Sequence, residues 1–426
     1  MKDRLFSFID SAEALAVELE TELCKYPAIA PESGGEGELD KARYLEGWLT
    51  ARGFPYERID IKDSRAKEGV RPNLVVDVNA AIGSNVAAGN AGGCLWIMSH
   101  LDVVPPGEAG LWKSDPWKVI RADGPLENSG YNPGPRLVGR GVEDNQQGLT
   151  ASLIAALAFK EAGLSPTRPV KLLLCADEEC GSAYGIAELL KQRPGLFGKN
   201  DLVLIPDGGD SKGETIEIAE KNLLWIEFTT HGKQAHGSRP DLGANAHLAG
   251  ADFAVRLHYE LSEKFSARDP LFEPDYSTFQ PTKKTANVPN INTIPGEDFF
   301  AMDMRILPRY PLSTVLSEIN RIKAEIEAKY GVTISYSAPQ QVESPATPAD
   351  SPLVAMLSRA VEEVYAVKTK PIGIGGGTVG AYLRNEGIHC AVWSRMDDTA
   401  HQPNEYVILA NILGDAKVMA AMMLES

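Results

Sequence analysis

LWIMSHLD, at residues 95–102, joins a short apolar run to a histidine and an aspartate. The same pattern recurs in VKLLLCADEE at 170–179 and in LVLIPD at 202–207. Short, almost wholly apolar runs are typical of strands that are buried on both faces of a sheet. Helical stretches lie between these runs, so the sequence predicts an α/β layered domain with helices on both faces of its sheet.

The predicted helices follow from apolar spacing and from glycine stops. Apolar residues recur at helical spacing from Leu5 to Leu23, which predicts one long amphipathic helix at the start of the chain. Further helices are predicted from Leu39 to about Gly53 and from Gly148 to Ala162, each ending beside a glycine. The apolar run at 74–78 is predicted to be another strand.

After about Lys221 the pattern changes to that of a smaller domain. The predicted order of strand, helix, two strands, helix and strand is that of the ferredoxin-like unit. The predicted segments are 223–230, 244–264, 286–293, 299–307, 312–330 and 332–336. In one of the strands Phe300, Met302, Met304 and Ile306 share a face at period two. A Pro- and Ser-rich segment at 339–352 leads back, so the predicted domains are 1–220 with 340–426, and 221–339.

The composition argues against several classes of partner. The 426-residue chain has a formal net charge of -16, which leaves no excess of Lys and Arg for nucleic acid. No apolar run approaches the roughly 18 residues that span a bilayer, so no membrane association is expected. The N-terminal segment lacks an apolar signal core, and an odd number of cysteines, five, fits a reduced compartment. We therefore expect a cytoplasmic protein.

Acidic and histidine residues follow three predicted strands, at the sheet edge where α/β proteins bind ligands. Imidazole and carboxylate groups without cysteine suit zinc, with cobalt or manganese as alternatives. Two such ions about 3.5–4 Å apart require a shared carboxylate and two further ligands each. The residues available for this purpose are His100, Asp144, Glu179, Asp207 and His401.

Two further residues have predicted roles at this site. Glu178 is free to act as the base toward a water molecule, and Asp102 could hold the His100 imidazole through its other ring nitrogen. Simpler interpretations stay open: His100 and Asp102 as a buried hydrogen-bonded pair, or Glu178 and Glu179 as acids favoured at a helix N-terminus. A single metal ion also stays open, because a sequence gives ligands and not occupancy.

The stretches around these residues resemble the co-catalytic zinc exopeptidases. That family includes aminoacylase, glutamate carboxypeptidase, carnosinase-type dipeptidases, acetylornithine deacetylase and succinyl-diaminopimelate desuccinylase. The similar stretches are 99–105, 112–117, 139–148, 177–182 and 401–405, and the resemblance covers nearly the whole chain. It implies a mixed central sheet, a cis peptide bond between Asp144 and Asn145, and two divalent ions. It places His100 and Asp207 on one ion, Glu179 and His401 on the other, and Asp144 on both.

The smaller domain resembles the lid and dimerisation domain of this family. In HGKQAHGSRP at 231–240, the resemblance implies that His236 reaches across a homodimer to stabilise the developing oxyanion. Asn292 and Arg305 would bind the polar groups and carboxylate of the substrate, together with the loop of Gly375, Gly376, Gly377 and Thr378. Simpler interpretations stay open as well: His236 as an ordinary loop histidine, Arg305 as a surface residue of a strand, and the glycine run as a flexible turn.

Two departures from the family pattern bear on function. Asn145, Gln146 and Gln147 stand where a basic residue is common, which alters the surroundings of the site rather than its ligands. Asp207 stands where deacylases often carry Glu, and in this respect resembles the dipeptidase and tripeptidase branches. The predicted function is therefore hydrolysis of the amide bond of a short peptide. An N-acyl amino acid deacylase, such as acetylornithine deacetylase or succinyl-diaminopimelate desuccinylase, is the alternative. A non-catalytic binding protein on the same fold is disfavoured, because every metal position and the base are filled.

Overall fold

The structure, a computed structural model, describes residues 1–84, 93–126 and 131–425. The helices in these ranges are α1 Lys2–Asp10, α2 Glu13–Cys24, α3 Leu39–Ala51, α4 Val78–Ile82, α5 Gln146–Ala162, α6 Ile186–Gln192, α7 Ala246–Lys264, α8 Leu312–Tyr330, α9 Pro352–Tyr365, α10 Gly380–Asn385 and α11 Leu409–Leu424. The strands are β1 Tyr56–Lys62, β2 Val70–Asp77, β3 Leu95–His100, β4 Ile120–Ala122, β5 Arg136–Val138, β6 Val170–Cys175, β7 Leu202–Asp210, β8 Thr215–Glu220, β9 Asn222–His231, β10 Ala235–His236, β11 Thr278–Lys284, β12 Thr293–Ile294, β13 Glu297–Ile306, β14 Thr333–Val342, β15 Lys370–Ile374, β16 His389–Arg395 and β17 Tyr406–Ile408. None of the helices in the described ranges is long and apolar enough to cross a bilayer.

The chain forms two compact units. The first comprises residues 1–218, 347–371 and 382–426, and the second comprises 219–346 and 372–381. The predicted boundaries differ from this division chiefly at 372–381, which they assign to the larger domain. Two hydrogen bonds join this segment to the rest of the second unit: Arg305 Nη1 donates to the Gly375 carbonyl at 2.7 Å, and the Thr378 hydroxyl donates to Glu220 at 2.5 Å.

A mixed sheet of eight strands forms the centre of the first unit, in the order β1-β2-β6-β3-β7-β16-β8-β15. The strands β6, β3, β7 and β16 run parallel to one another, whereas β1 and β2 pair antiparallel. Every residue of β3 is buried, so both faces of the sheet are covered at its centre, as the apolar run predicts. The parallel strands bring their carboxyl ends to one edge, and His100 is the last residue of β3.

The second unit is built on a four-stranded antiparallel sheet in the order β11-β13-β9-β14. Helices α7 and α8 pack on each other, and their apolar residues share one core with those of the sheet. The main elements follow the predicted β-α-β-β-α-β order. The predicted face of β13 is buried in that core, namely Phe300, Met302, Met304 and Ile306.

Several predicted elements are wrong in their limits, among them the strand predicted at 332–336, which is β14 and continues to Val342. The opening helix is two helices, because the backbone N–H groups of Ser11 and Ala12 bond to carbonyls three residues earlier and end α1. The predicted strand at 286–293 is instead β11, seven residues long and ending at Lys284, in which Phe279 alone is buried. The strand predicted from the apolar run at 202–205 continues as β7 to Asp210, because its last residues pair with β16.

Candidate active site

Five side chains from separate parts of the first unit converge at the carboxyl edge of the central sheet. Their ligand atoms form two groups, and within each group the atoms lie within 4.8 Å of one another. One group is His100, Asp144 and Asp207, and the other is Asp144, Glu179 and His401. The structure therefore brings together all five residues that the sequence singles out as candidate metal ligands.

Asp144 belongs to both groups and faces one histidine with each oxygen. Its Oδ1 lies 2.8 Å from His100 Nε2, and its Oδ2 lies 3.1 Å from His401 Nε2. Asp207 Oδ1 is 3.4 Å from the same His100 nitrogen, and Glu179 Oε2 is 2.9 Å from the same His401 nitrogen. The carboxylate of Asp144 thus bridges two otherwise separate pairs of donors.

The backbone sets these positions. Asp207 lies in β7, the parallel neighbour of β3, and Glu179 follows the end of β6. The peptide bond between Asp144 and Asn145 is cis, which confirms the prediction. Gly148, at the start of α5, lies against β7, where an added Cβ would be 2.5 Å from the Pro206 carbonyl oxygen. Only glycine permits this approach of the helix to the strand that carries Asp207.

Asp102 holds both the histidine and the neighbouring acidic loop. His100 Nδ1 lies 3.0 Å from the backbone carbonyl of Asp102 and 3.5 Å from its carboxylate. The carboxylate itself accepts hydrogen bonds from the backbone N–H groups of Glu178 and Glu179, each at 3.0 Å. The imidazole is therefore held mainly by the carbonyl oxygen, whereas the prediction gave that role to Asp102 without distinguishing its atoms.

Three residues that support the site were not predicted from the sequence to be functional. Glu405 is fully buried and accepts hydrogen bonds from Arg140 Nη1 at 2.6 Å and from the N–H group of Asp144 at 3.1 Å. Asn145 Nδ2 donates to Asp207 Oδ1 at 2.7 Å. Glu143 accepts from the Thr399 hydroxyl at 2.7 Å and so supports the loop that carries His401. One of these partners is the backbone N–H group of Asp144, a contact that no residue spacing reveals.

The electrostatics of the site favour cations. Burial, with the nearby Asp207 carboxylate, raises the pKa of Glu178 well above its ordinary value, and burial also raises the pKa of Asp207. Hydrogen bonds to Asp144 and Glu179 raise the pKa of His401 to about 10. Buried acids this close together repel one another when ionised, and a divalent cation between them relieves that repulsion.

The donor set fits two divalent metal ions. Carboxylate oxygens and imidazole nitrogens are the ligands of such ions, and one carboxylate shared between two groups is the arrangement of a two-metal site. Glu179 Oε1 is buried and has no hydrogen-bond partner among the described residues, as expected of an atom that faces an ion. His100, Asp144 and Asp207 could hold one ion, and Asp144, Glu179 and His401 the other.

The remaining predicted residues lie in the second unit. His236 is exposed, its Nδ1 lies 2.8 Å from the Ser238 hydroxyl, and it pairs across β10 and β12 with Thr293. Asn292 is its neighbour in this hairpin-like pairing, and its carbonyl accepts from the N–H group of Gly237 at 2.7 Å. His236 and Asn292 are therefore brought together.

Arg305 forms a second group with the glycine loop. Its Nε and Nη2 atoms donate to the two oxygens of Asp303 at 2.7 and 2.8 Å, and its Nη1 donates to the Gly375 carbonyl. Trp225 Nε1 donates to the same Asp303 carboxylate at 2.9 Å. Asp303, which the sequence analysis did not single out, fixes the orientation of the Arg305 guanidinium.

Comparison with known proteins shows the family to which this chain belongs. Residues 96–425 match the family model described as peptidase family M20/M25/M40. An uncharacterized metallohydrolase of Methanococcus maripaludis is 36% identical, over 94% of this chain and 97% of that protein. A succinyl-diaminopimelate desuccinylase of Cereibacter sphaeroides is 30% identical, over 93% of this chain and 94% of that protein. The solved structure of aminopeptidase PepT from Bacillus cereus shares the fold, with a TM-score of 0.73 and 16% identity, over 96% of this chain and 98% of that one. This chain therefore belongs to peptidase family M20/M25/M40 and is a metal-dependent hydrolase that acts on amide bonds.

Proposed function

We propose that the chain uses two divalent metal ions to hydrolyse an amide bond in a small substrate that carries a carboxylate. The observation that carries this proposal is the Asp144 carboxylate, which presents one oxygen to each of two donor groups. The same donors without cysteine favour zinc, and cobalt or manganese are the alternatives. When bound, the ions supply Lewis-acid polarisation of the scissile carbonyl and lower the pKa of water.

Glu178 is proposed as the general base. The carboxylate accepts a proton from the attacking water, whose oxygen bonds to the carbonyl carbon of the substrate. The carbon–nitrogen bond then breaks, and Glu178 returns the proton to the leaving nitrogen. Burial raises the pKa of Glu178, and cations held by the neighbouring ligands would favour its ionised form, which the base needs at the start of the cycle.

Arg305 and the glycine loop are proposed to bind the substrate carboxylate. The guanidinium is oriented by Asp303 and by the Gly375 carbonyl, so little side-chain freedom remains to be lost on binding. Asn292 and Thr378 would contact other polar groups of the substrate. His236 is proposed to donate a hydrogen bond to the oxyanion that develops on the scissile carbonyl.

Each of two substrate classes has a specific observation in its favour. The aspartate at position 207 favours short peptides, because it resembles the dipeptidase and tripeptidase branches of the family. The similarity to desuccinylases over nearly the whole chain favours N-acyl amino acids. Identities of 30% and 28% support the type of reaction more firmly than the nature of the leaving group or the acyl group. Both substrate classes are therefore included in the experiment.

A homodimer through the second unit is also proposed. Helix α7 exposes Leu248, Val255 and Tyr259, with 54%, 54% and 67% of their surfaces accessible. Their spacing of seven and four residues places them on one side of the helix. Exposed apolar stripes of this kind mark contacts with other proteins. A cytoplasmic location is proposed because none of the five cysteines, which all lie in the described ranges, forms a disulfide bond.

The test is an assay of hydrolysis. The protein is first stripped of metal and then reconstituted with zinc, cobalt or manganese. The substrate panel contains free dipeptides and tripeptides beside N-acetyl and N-succinyl amino acids. Metal-dependent cleavage of free peptides alone would support the peptidase proposal. Cleavage of acylated amino acids alone would assign the chain to the deacylases. If no small amide is cleaved by protein that holds two ions, the proposed substrate classes are wrong.

A further inference from the structure

The acidic loop, residues 177–179, begins with a residue in a restricted conformation. Asp177 has a φ of 63°, in the left-handed region that residues other than glycine rarely adopt. Its carbonyl oxygen accepts a hydrogen bond from the Ser182 N–H group at 2.6 Å, and its Oδ2 accepts one from the Tyr184 N–H group at 2.8 Å. Because Glu178 and Glu179 follow directly, the backbone of Asp177 sets the direction that the chain takes toward them.

Arg71 holds Asp177 from the neighbouring strand β2. It is fully buried, and its Nη2 atom lies 3.1 Å from Oδ1 of Asp177. The guanidinium also donates two hydrogen bonds to Glu38, from Nε to Oε2 at 2.7 Å and from Nη2 to Oε1. Glu38 Oε1 in turn accepts from the backbone N–H group of Asp177 at 3.2 Å. Arg71 therefore reaches the side chain of Asp177 directly and its main chain through Glu38.

The strand β2 makes a second contact with the same turn. Asn73 lies two residues after Arg71, so the two side chains project from the same face of the strand. Oδ1 of Asn73 accepts a hydrogen bond from the N–H group of Ala176, the residue before Asp177, at 3.0 Å. Because β2 pairs antiparallel with β6, two of its side chains fix successive residues of the turn that follows β6.

The position of the guanidinium is itself restricted by packing. Gly37 has a φ of 84°, and a Cβ added there would lie 3.3 Å from Cδ and 3.4 Å from Nε of Arg71. The ring of Tyr184 lies near the guanidinium, with its centroid 5.8 Å from Cζ. These contacts limit the orientations that are open to the arginine side chain, so it can act as a fixed support.

The charge of Arg71 also accounts for a third cluster of possible metal ligands. Ligand atoms of Glu32, Asp177 and Cys180 lie within 4.8 Å of one another. The guanidinium lies beside them, with Nη1 3.7 Å from Glu32 and Nη2 3.1 Å from Asp177. Arg71 thus supplies positive charge to these acids, and we assign no metal ion to the cluster.

We propose that Arg71 is a positioning residue that orients Glu178 and Glu179 through its contacts with Asp177. This role rests on the proposed function, because Glu178 is the proposed base and Glu179 a ligand of one of the two proposed ions. The other ion has ligands on β3 and β7, outside the acidic loop. Loss of the arginine should therefore weaken one ion more than the other, whereas loss of a merely structural residue would weaken both.

The test is a competition titration of metal-stripped, full-length protein with zinc and a chromophoric chelator. Arg71→Lys keeps the charge but loses the two-atom contact with Glu38. Asp177→Asn is the second variant, since asparagine tolerates the left-handed conformation but removes the ion pair. Arg58→Lys is the matched control, because Arg58 lies on the adjacent strand β1 and pairs with Asp60 at 2.7 Å. Urea unfolding shows whether each variant is folded.

Two backgrounds identify the ion that is affected. Asp207→Ala removes a ligand of one ion and leaves the ion of Glu179 and His401, and His401→Ala does the reverse. Adding Arg71→Lys is expected to lower the zinc affinity about tenfold or more in Asp207→Ala, and less than about threefold in His401→Ala. Asp177→Asn is expected to act in the same way, and the control is expected to change neither background.

Equal zinc affinities with and without each change would overturn the role of Arg71. Equal weakening in both backgrounds, or loss of folding in both variants, would show a structural role and overturn it as well. A native chain that takes up fewer than two zinc ions would instead contradict the proposed function on which this role rests, so the two failures are distinguishable.

Discussion

The backbone N–H group of Glu178 donates a hydrogen bond to Oδ1 of Asp102 at 3.0 Å. The carbonyl oxygen of the same Asp102 lies 3.0 Å from His100 Nδ1. One residue thus fixes the main chain of the proposed base and the ring of a proposed metal ligand. The side chain of Glu178 has no part in this support, so its chemistry can be removed without moving its neighbours.

Glu178→Gln is expected to fold and to bind metal as the native protein does, while turnover falls by about 10²–10⁴-fold. Glutamine keeps the backbone hydrogen bond to Asp102 but cannot accept the proton of water. The measurement is steady-state hydrolysis on the substrate that the panel identifies, together with metal content. Glu161→Gln, an exposed change on α5, is the control. Turnover within a few-fold of the native rate in Glu178→Gln would remove Glu178 as the base.

Arg305→Lys is expected to raise KM about tenfold or more, with a smaller effect on kcat. Lysine cannot donate to Asp303 and Gly375 in the fork geometry of arginine, so the carboxylate site loses its orientation. Loss of binding that is equal in the ground state and the transition state appears in KM. Arg309→Lys, an exposed arginine of the same unit, is the control. An unchanged KM would show that Arg305 does not bind the substrate.

Mixing two inactive variants tests whether His236 acts across a subunit boundary. His236→Ala and Glu178→Gln are each expected to lose most activity alone. If His236 serves the partner site, a heterodimer of the two contains one site with both Glu178 and His236, and activity returns on subunit exchange. If each His236 serves its own subunit, no complete site forms and the mixture stays inactive. Recovery is measured against each variant mixed with itself.

The stability of the metal-free protein is expected to fall as pH rises from about 4 to about 7 because of Asp415. Burial raises the pKa of this carboxyl to about 7, although Tyr365 and Gln147 donate hydrogen bonds to it at 2.8 Å. In the unfolded chain the pKa returns to about 3.9, so in this window the folded state holds a proton that the unfolded state has lost. The native protein should therefore lose up to about 1.4 kcal/mol per pH unit relative to Asp415→Asn. Urea unfolding at pH 5, 6, 7 and 8 measures this difference, and a difference that does not vary with pH would contradict it.

Much of the first unit could be predicted because the sequence patterns that indicate its strands and site residues are local. The apolar run before His100 predicts a buried strand, and strand ends predict where the acids and histidines meet. The predicted cis bond at Asp144 is confirmed, but that prediction came from resemblance and not from spacing. Strong apolar periodicity and family motifs therefore account for the success.

The misses have physical reasons. The break at Ser11 depends on hydrogen bonds within one turn, and the apolar spacing continues across it unchanged. The strand β11 buries Phe279 alone, so it carries no period-two signal. Glu405 supports Asp144 through a backbone N–H group 261 residues earlier in the chain, a relationship that exists only after folding.

The measurement that tests the central claim most directly is the zinc content of stripped and reconstituted protein, determined for the native chain and for Asp144→Ala. Asp350→Ala, an exposed change in the first unit, is the control. A carboxylate shared by two ions predicts about two zinc ions per native chain and per control chain, and about one or fewer in Asp144→Ala. A native chain that holds a single ion, or an Asp144→Ala chain that retains two, would contradict the two-metal site.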